Sequence, residues 1–531
     1  MVGLSRDPRA AWRVAATGTL LVALVAALYL PTLGADFVWD DLGLVKPSPA
    51  LRDFQGLRVA MSTDLYRQAD PSLKASSYWR PLALASFWLD SRLGPPPRSL
   101  HAGNIALHAL ATLLLFLVLV RRLGSDAVVP SALAAGWWAL HPEQVEAVAW
   151  ISCRYELLSA VALLALVLLP RRPGPGNAAA YGLAFLAGLL SKDAFAPAAL
   201  VVAADDWAER RSLRSIALRW GALSAAAAIW AAARARLAVP APGFHLSFSL
   251  AKDLLASAGI YGWRALWPLP LTTAHPYVPG GGSALVWGAL ALLGVAAAAA
   301  HRSRLAVPAA VVFAGLIPAA LAMGTFGLAP DRYFYVPSIG LALLLGEGLC
   351  ARKAAPQALR AASLASVGVW CLVGAALAAP RVREWRTSGT LFRATLRVDP
   401  GDPQANLALA NEAGLAGRWE EARALLERAQ QRDPESARVA NALARVHLER
   451  RDAVRALALA ERATALDPER PQSWLYVAWA HRLAGDRAGE LEALERALRL
   501  SPGYADARAA RERVVREMSG KTSCPGECSA P

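Results

Sequence analysis

Residues 399–434 read DPGDPQANLALANEAGLAGRWEEARALLERAQQRDP, and the pattern then repeats. Asp399-Pro400, Asp433-Pro434, Asp467-Pro468 and Ser501-Pro502 recur every 34 residues. Each proline ends a helix because it cannot continue the hydrogen-bond ladder. Small residues (Ala422, Ala456, Ala429, Ala463 and Ala497) stand where the two helices of a unit must pack closely, and Trp474 takes the aromatic position of a first helix. Leu409 and Leu443 hold the equivalent apolar site one turn later. Self-similarity at this period is the mark of a solenoid of helix pairs. The spacing predicts three units over 403–504, a half-unit at 386–400, a polar capping helix at 505–518 and a tail at 519–531. Stacked pairs offer a concave groove, usually for peptide. They serve equally as a spacer, since repeats reveal architecture more readily than ligand.

Thirty-four residues is the period of the tetratricopeptide repeat (TPR). Upstream of it the chain changes character. Charged residues are dense from 381 onward, but between 14 and 380 they collect in short clusters separated by long apolar runs. Over all 531 residues 55% are hydrophobic and 18% charged. Ordinary soluble domains carry about 25% charged residues, so the deficit points to lipid. The boundary falls at 384/385: a membrane part over 1–384, then a water-exposed array over 385–518. The net charge of +15 does not imply nucleic acid. Much of it borders apolar segments, at Arg121 and Arg122, Arg171 and Arg172, Arg210 to Arg214, Arg302 and Arg304, and Arg352 and Lys353. These read as cytoplasmic anchors under the positive-inside rule. Cys153, Cys350 and Cys371 are isolated in apolar surroundings, and Cys524 and Cys528 could pair only in an oxidising compartment.

A spanning helix needs about 20 apolar residues. Runs at 12–31, 102–120, 215–233, 283–300, 306–323, 333–350 and 361–380 qualify, and 127–141 and 155–170 are shorter candidates. Residues 178–204, interrupted at Ser191-Lys192-Asp193 and Pro197, predict a hairpin of two short crossings. The basic residues Arg6, Arg9 and Arg13 precede an uncleaved first helix rather than a signal peptide. Lys252, Asp253, Arg264 and several prolines make 252–271 an interfacial helix. The fold class is therefore all-α, with about eleven spans followed by a solenoid. Placing every basic cluster inside puts the repeats outside the cytoplasm, in a plasma or bacterial inner membrane. Outward segments are 32–101, 141–156, the tip at 191–197, 238–282 and 324–334.

Nearly all unusual polar residues fall in those outward segments. The first begins Asp36-Phe37-Val38-Trp39-Asp40-Asp41 and continues to Tyr78-Trp79-Arg80-Pro81-Leu82. His101, Asn104 and His108 follow at helical spacing. Ionisable groups within a span are functional candidates, although His108 reads first as a hydrogen-bonded core histidine. Then come His141-Pro142-Glu143-Gln144-Val145-Glu146, Arg154, Glu156, Lys192, Asp193, Asp331, Arg332, Tyr333 and Tyr335. Acids and bases gathered at one face by separate connections suit a carboxylate base beside cations that neutralise an anionic lipid head group.

The motifs FVWDD, YWRPL, HxxNxxxH, ALHPEQVEAVAWISCRYELL, LLSKD and DRYFYVPSIG, in this order, resemble those of TMTC-like proteins. Those are membrane-spanning TPR relatives of the protein O-mannosyltransferases, with the GT-C glycosyltransferase fold. In this sequence the arginine motif is Trp79-Arg80-Pro81-Leu82, and the hairpin acid is Asp193 where relatives often have glutamate. The resemblance implies transfer of a sugar, mannose by inheritance, from a polyprenyl-phosphate donor to a hydroxyl acceptor. It maps the catalytic base onto Asp40 or Asp41, with Asp40 favoured. Arg80, Arg154, Lys192 and Arg332 become the cations for the leaving phosphate, since arginine gives bidentate contacts and lysine a point charge. His101 joins the substrate-binding set, and Glu146 would orient the acceptor or a metal. A divalent cation is needed by some GT-C enzymes and not by others.

Two other readings compete. In one, a membrane-anchored TPR scaffold has lost its activity; retention of Asp40, Asp41, Arg154, Lys192 and Arg332 argues against it. The other is transport of a lipid-linked sugar, which would want charges deep within several spans, whereas this chain puts them near span ends. On the first reading the partners are a lipid-linked sugar and a protein or peptide acceptor held by the TPR groove.

Overall fold

The computed structural model describes residues 8–65, 78–170, 174–237, 239, 248–272, 275–276, 282–301, 303–326, 328–351 and 355–519. Among them the chain is helical apart from one two-residue antiparallel pairing, His275–Pro276 with Leu328–Ala329. It divides into two compact units between Thr387 and Ser388.

Among the described residues of the first unit seven helices are long and apolar enough to cross a membrane: Pro8–Gly34, Arg98–Leu123, Ile151–Leu168, Leu213–Arg236, Ala306–Thr325, Asp331–Ala351 and Gln357–Glu384. The run at 283–300 forms Gly282–His301, with its apolar part at Ala284–Ala297. The other expected crossings are shorter. Val128–Ala139 has 12 residues, a length of about 18 Å at 1.5 Å per residue against a hydrocarbon core of about 30 Å. Its apolar character serves the protein interior: Ala134, Ala135 and Trp138 are fully buried. The 178–204 segment folds as Pro175–Ser191 and Ala199–Ala208, joined by a tight turn at Asp193–Ala198. The segment expected at the interface becomes helix Phe248–Arg264, which leaves Trp263, Leu266, Trp267 and Leu269 exposed.

The two ends of this unit differ chemically. Several helices turn at one end, where Arg121, Arg122, Arg304, Asp205, Glu209 and Glu347 line a cleft of about 320 Å³. Arg122 pairs with Glu347 at 3.2 Å there. The opposite ends of the same helices carry Asn104, Arg154 and Tyr335.

The second unit is the helix-pair array. Its pairs are Pro403–Leu415 with Trp419–Arg432, Ala437–Glu449 with Ala453–Leu466, and Pro471–Ala484 with Arg487–Leu500. Ser388–Val398 precedes them and Ala505–Met518 follows. Asp402, Asp452 and Asp486 cap helix N-termini by accepting backbone N–H bonds, which satisfies otherwise orphaned donors. Ala422, Ala456, Ala429, Ala463 and Ala497 are all buried at helix–helix contacts. In the third pair the position of Ala422 and Ala456 holds Glu490 instead. It is fully buried, and Arg482, Arg487 and Arg513 surround it at 2.9–3.7 Å. The tail cysteines Cys524 and Cys528 lie outside the described residues.

Candidate functional site

The first connection leaves its span through Leu30–Gly34 and turns sharply at Trp39. Phe37 and Val38 are buried, Asp40 is exposed and Asp41 is buried again. Asp41 is thus turned inward. One carboxylate oxygen accepts from Val38 N at 3.1 Å; the other accepts from Ser152 N at 2.8 Å and from the Ser152 hydroxyl. Burial raises the Asp41 carboxyl to about 7, against the lowering effect of those hydrogen bonds. Of the two expected bases, Asp41 fastens the loop and Asp40 is the one that faces solvent.

Ser152 belongs to the segment Trp150–Glu156, which serves as the spine of the site. Trp150 stacks on Trp39 with centroids 4.7 Å apart. Asn104 fixes the segment from below by donating to Val148 O and Trp150 O at 3.0 and 3.1 Å. Beyond Ser152, Tyr155 and Glu156 point toward the cations. The Arg80 guanidinium lies 3.6 Å over the Tyr155 ring and 5.0 Å from that of Tyr78. Lys192 is ion-paired with Glu156 and lies 4.7 Å over Tyr333. Arg332 pairs with Glu146 at 2.5 Å and lies 5.3 Å from both Trp150 and Tyr333. Arg80, Lys192 and Arg332, supplied by three separate connections, therefore meet around Tyr155 and Tyr333.

Their balance of charge is uneven. Lys192 and Arg332 each have an acid, and Arg234 pairs with Asp193 at 2.9 Å. Among the described residues Arg80 makes ring contacts but has no hydrogen-bond or ion-pair partner. Burial lowers the Lys192 ammonium below the ordinary lysine range; Glu156 opposes the shift, and Arg80 and Arg332 add to it. Burial likewise raises Asp193 to about 6 against the pull of Arg234 and Arg80.

Three expected ligands have other work. Arg154 is 1% exposed and turned into the fold. It donates to Asn104 Oδ1 at 2.8 Å, to Leu100 O and to Asp90, and lies 4.5 Å over Phe87. A guanidinium so occupied braces helices and offers no face to a phosphate. His101 is buried with Nε2 3.4 Å from Asp36 O, supporting the acid loop. Glu146 is buried against Arg332, and burial raises it to about 7 despite that cation. Its role here is to hold Arg332. His108 is bonded to Tyr335 Oη at 2.7 Å and to Ala139 O at 3.1 Å, as a core histidine would be. Glu143 and Asp331 share Arg264 in a separate buried knot. Among the described residues no group of three or more His, Cys, Asp or Glu side chains is placed to hold a metal ion.

Sequence reasoning missed Ser152, Asp90 and the stacking role of Trp39 and Trp150. Ser152 and Trp150 lie inside a motif already singled out, so proximity in sequence was the available signal. Nothing local distinguishes Asp90.

A tetratricopeptide-repeat family model matches residues 389–446 and 413–480. Protein O-mannosyl-transferase Tmtc1 of Drosophila melanogaster is 37% identical over 154 residues, covering 28% of this chain and 17% of that protein. Tmtc2 of the same organism is 31% identical over 254 residues, or 44% of this chain and 26% of that one. TMTC3 of Mus musculus is 31% identical over 161 residues, or 30% and 17%. These matches thus span only 17–26% of the relatives' own length. A crystal structure of MamA covers 25% of this chain at 20% identity and a TM-score of 0.23, too low to carry a structural argument. The chain thus carries tetratricopeptide repeats, and the curated relatives found for it are TMTC protein O-mannosyl-transferases.

Proposed function

We propose that the chain is an inverting membrane glycosyltransferase that moves a sugar, by resemblance mannose, from a polyprenyl-phosphate donor to a hydroxyl of a protein acceptor. The observation that carries the reading is the Trp150–Glu156 segment. One end of it grips the acid loop through Trp39 and Asp41, and the other holds the cation group through Tyr155 and Glu156. A base and a set of cations are thereby fixed to one short piece of backbone.

Asp40 takes the proton of the acceptor hydroxyl as that oxygen forms its bond to the anomeric carbon from the face opposite the donor phosphate. The carbon–oxygen bond to phosphate breaks, its electron pair stays on the phosphate oxygen, and the configuration inverts. Arg80, which has no ion-pair partner among the described residues, and Lys192 and Arg332 beside it supply fixed positive charge where the leaving charge develops. Glu156 and Glu146 hold two of these cations in position, so no reorganisation is needed during the reaction. The relatives' name, protein O-mannosyl-transferase, favours sugar transfer to protein, and the apolar helices of the same unit favour a donor carried by a lipid.

The chain leaves the first unit through Arg386, whose carbonyl accepts from Asp36 N at 3.0 Å. It therefore emerges at the end that bears Asp40. With the arginine-rich end on the cytoplasmic side, this end is extracytoplasmic and the repeats recruit or present the acceptor. The test is transfer from a synthetic prenyl-phosphate sugar in membranes containing the full chain. Asp40→Asn should lower kcat by roughly 10²- to 10⁴-fold. An unchanged rate would remove Asp40 as the base.

A further inference from the structure

The loop that carries Asp40 is held in a conformation its sequence does not favour. Trp39 has φ +57, in the left-handed region where a bulky side chain is an outlier. Such a residue persists only where its surroundings over-determine it. Here the Trp39 ring lies flat on Trp150, 4.7 Å away with 8° between planes. Trp150 in turn stacks on Trp385 at 5.9 Å and 27°, and Arg332 lies 5.3 Å from its face on the way to Glu146. Asp36 N donates to Arg386 O. Trp385 and Arg386 follow the last span, and the repeat array begins at Ser388.

The geometry has a direct effect on Asp40. Reversal of the chain at Trp39 sends the indole inward onto Trp150, leaves Asp40 facing out, and returns Asp41 to Val38 N and Ser152. The stack on Trp150 is one restraint that holds a tryptophan at that φ. Glycine would adopt it freely.

We propose that Trp39 is a positioning residue for Asp40, clamped by the Trp39–Trp150–Trp385 stack, and that this stack ties the candidate base to the segment through which the chain enters its repeats. The inference rests on the reading of Asp40 as the base.

The experiment removes or replaces the plates of the stack one at a time. In the full chain, Trp39→Gly removes the unfavourable φ and the ring together, Trp39→Phe keeps an aromatic plate, and Trp385→Ala removes the far plate. Trp39→Gly should fold and lose kcat by roughly 10²-fold, the effect of a slight misplacement, with donor KM little changed. Trp39→Phe should recover most of that loss, and Trp385→Ala should resemble the glycine variant. The near-ultraviolet circular dichroism of the stacked indoles should fall in Trp39→Gly and in Trp385→Ala. A readout independent of activity is the labelling rate of Asp40→Cys, with Cys350, Cys524 and Cys528 changed to serine. That rate should change when Trp39→Gly or Trp385→Ala is added. Equal labelling rates in all backgrounds, or wild-type kcat in folded Trp39→Gly, would overturn the proposal. Altered labelling together with a fully active Asp40→Asn would instead overturn the base and leave the positioning role standing.

Discussion

Asp41→Asn separates a structural carboxylate from a catalytic one, and the buried position of Asp41 sets the size of the effect. Burial raises its carboxyl from an ordinary 3.8 to about 7. The folded protein therefore keeps a proton that the unfolded chain releases above about pH 4. Stability contributed by that proton is full at low pH and declines by about 1.4 kcal/mol per pH unit as pH rises toward 7, then levels. Asparagine stays neutral and removes the slope. It keeps an oxygen for Ser152 but places an NH₂ where Val38 N needs an acceptor, a pH-independent loss of about 1–3 kcal/mol. Relative to wild type, Asp41→Asn should thus gain about 3 kcal/mol between pH 5 and pH 8. Denaturant unfolding of the full chain in detergent at constant ionic strength measures the difference. Sugar transfer by this variant should stay within about tenfold of wild type, whereas loss of a general base lowers the rate by roughly 10²- to 10⁴-fold. Parallel stability profiles together with a base-sized loss of transfer would make Asp41 the base and refute the assignment of Asp40.

Arg80→Gln leaves no acid unpaired among the described residues, so the protein should fold with at most about 0.5–2 kcal/mol lost from ring contact. Its donor KM should rise, and Arg80→Lys should recover part of the affinity in steady-state kinetics. Arg154→Gln should behave in the opposite way, because it strands Asp90, Asn104 and the Leu100 carbonyl; thermal unfolding should reveal about 3–5 kcal/mol of destabilisation with no selective change in donor KM. In the array, backbone N–H bonds hold Asp452 and Asp486 below the ordinary carboxylate range. Their contribution is present above that range and is lost as pH falls through the depressed values. The Asp452→Asn, Asp486→Asn double variant should therefore unfold at a lower temperature than wild type at neutral pH and converge with it in acid. For topology, a cysteine in place of the exposed Glu435 should react with an impermeant reagent in intact cells; reaction only after permeabilisation would reverse the orientation.

The repeats were legible because their period is covalent: a proline every 34 residues and alanines at fixed offsets need no tertiary knowledge. Most spans were legible from length and apolarity. Val128–Ala139 shows where that measure fails, since apolar residues that face protein and apolar residues that face lipid look alike in sequence. For the candidate site, the sequence singles out the polar residues but not which of them meet in space. Arg80 and Arg154 both appear as arginines in outward segments. What separates them is Asp90, 64 residues from Arg154, and Asn104, 50 residues away. Asp40 and Asp41 are neighbours with the same chemistry, and only Ser152, 111 residues on, assigns one of them to the interior.

The charges of the first unit carry one more consequence. Most of the buried cations have an acid close by: Lys192 with Glu156, Arg332 with Glu146, Arg234 with Asp193, Arg264 with Glu143 and Asp331, and Arg219 with Asp205 and Asp206. Such pairs are weak contributors to net stability, because removing two charges from water offsets most of their attraction. Their value lies in position, since a buried ion pair fixes where a cation stands before any ligand arrives. Arg219 and its acids hold helices at a distance from the site and need no ligand. Around Tyr155 and Tyr333 the same device sets two cations beside a third, Arg80, whose contacts among the described residues are with aromatic faces. A guanidinium there attracts an anion without first breaking an ion pair. On the proposed reading, that asymmetry, rather than the number of positive residues, is what would direct a donor phosphate to this end of the unit.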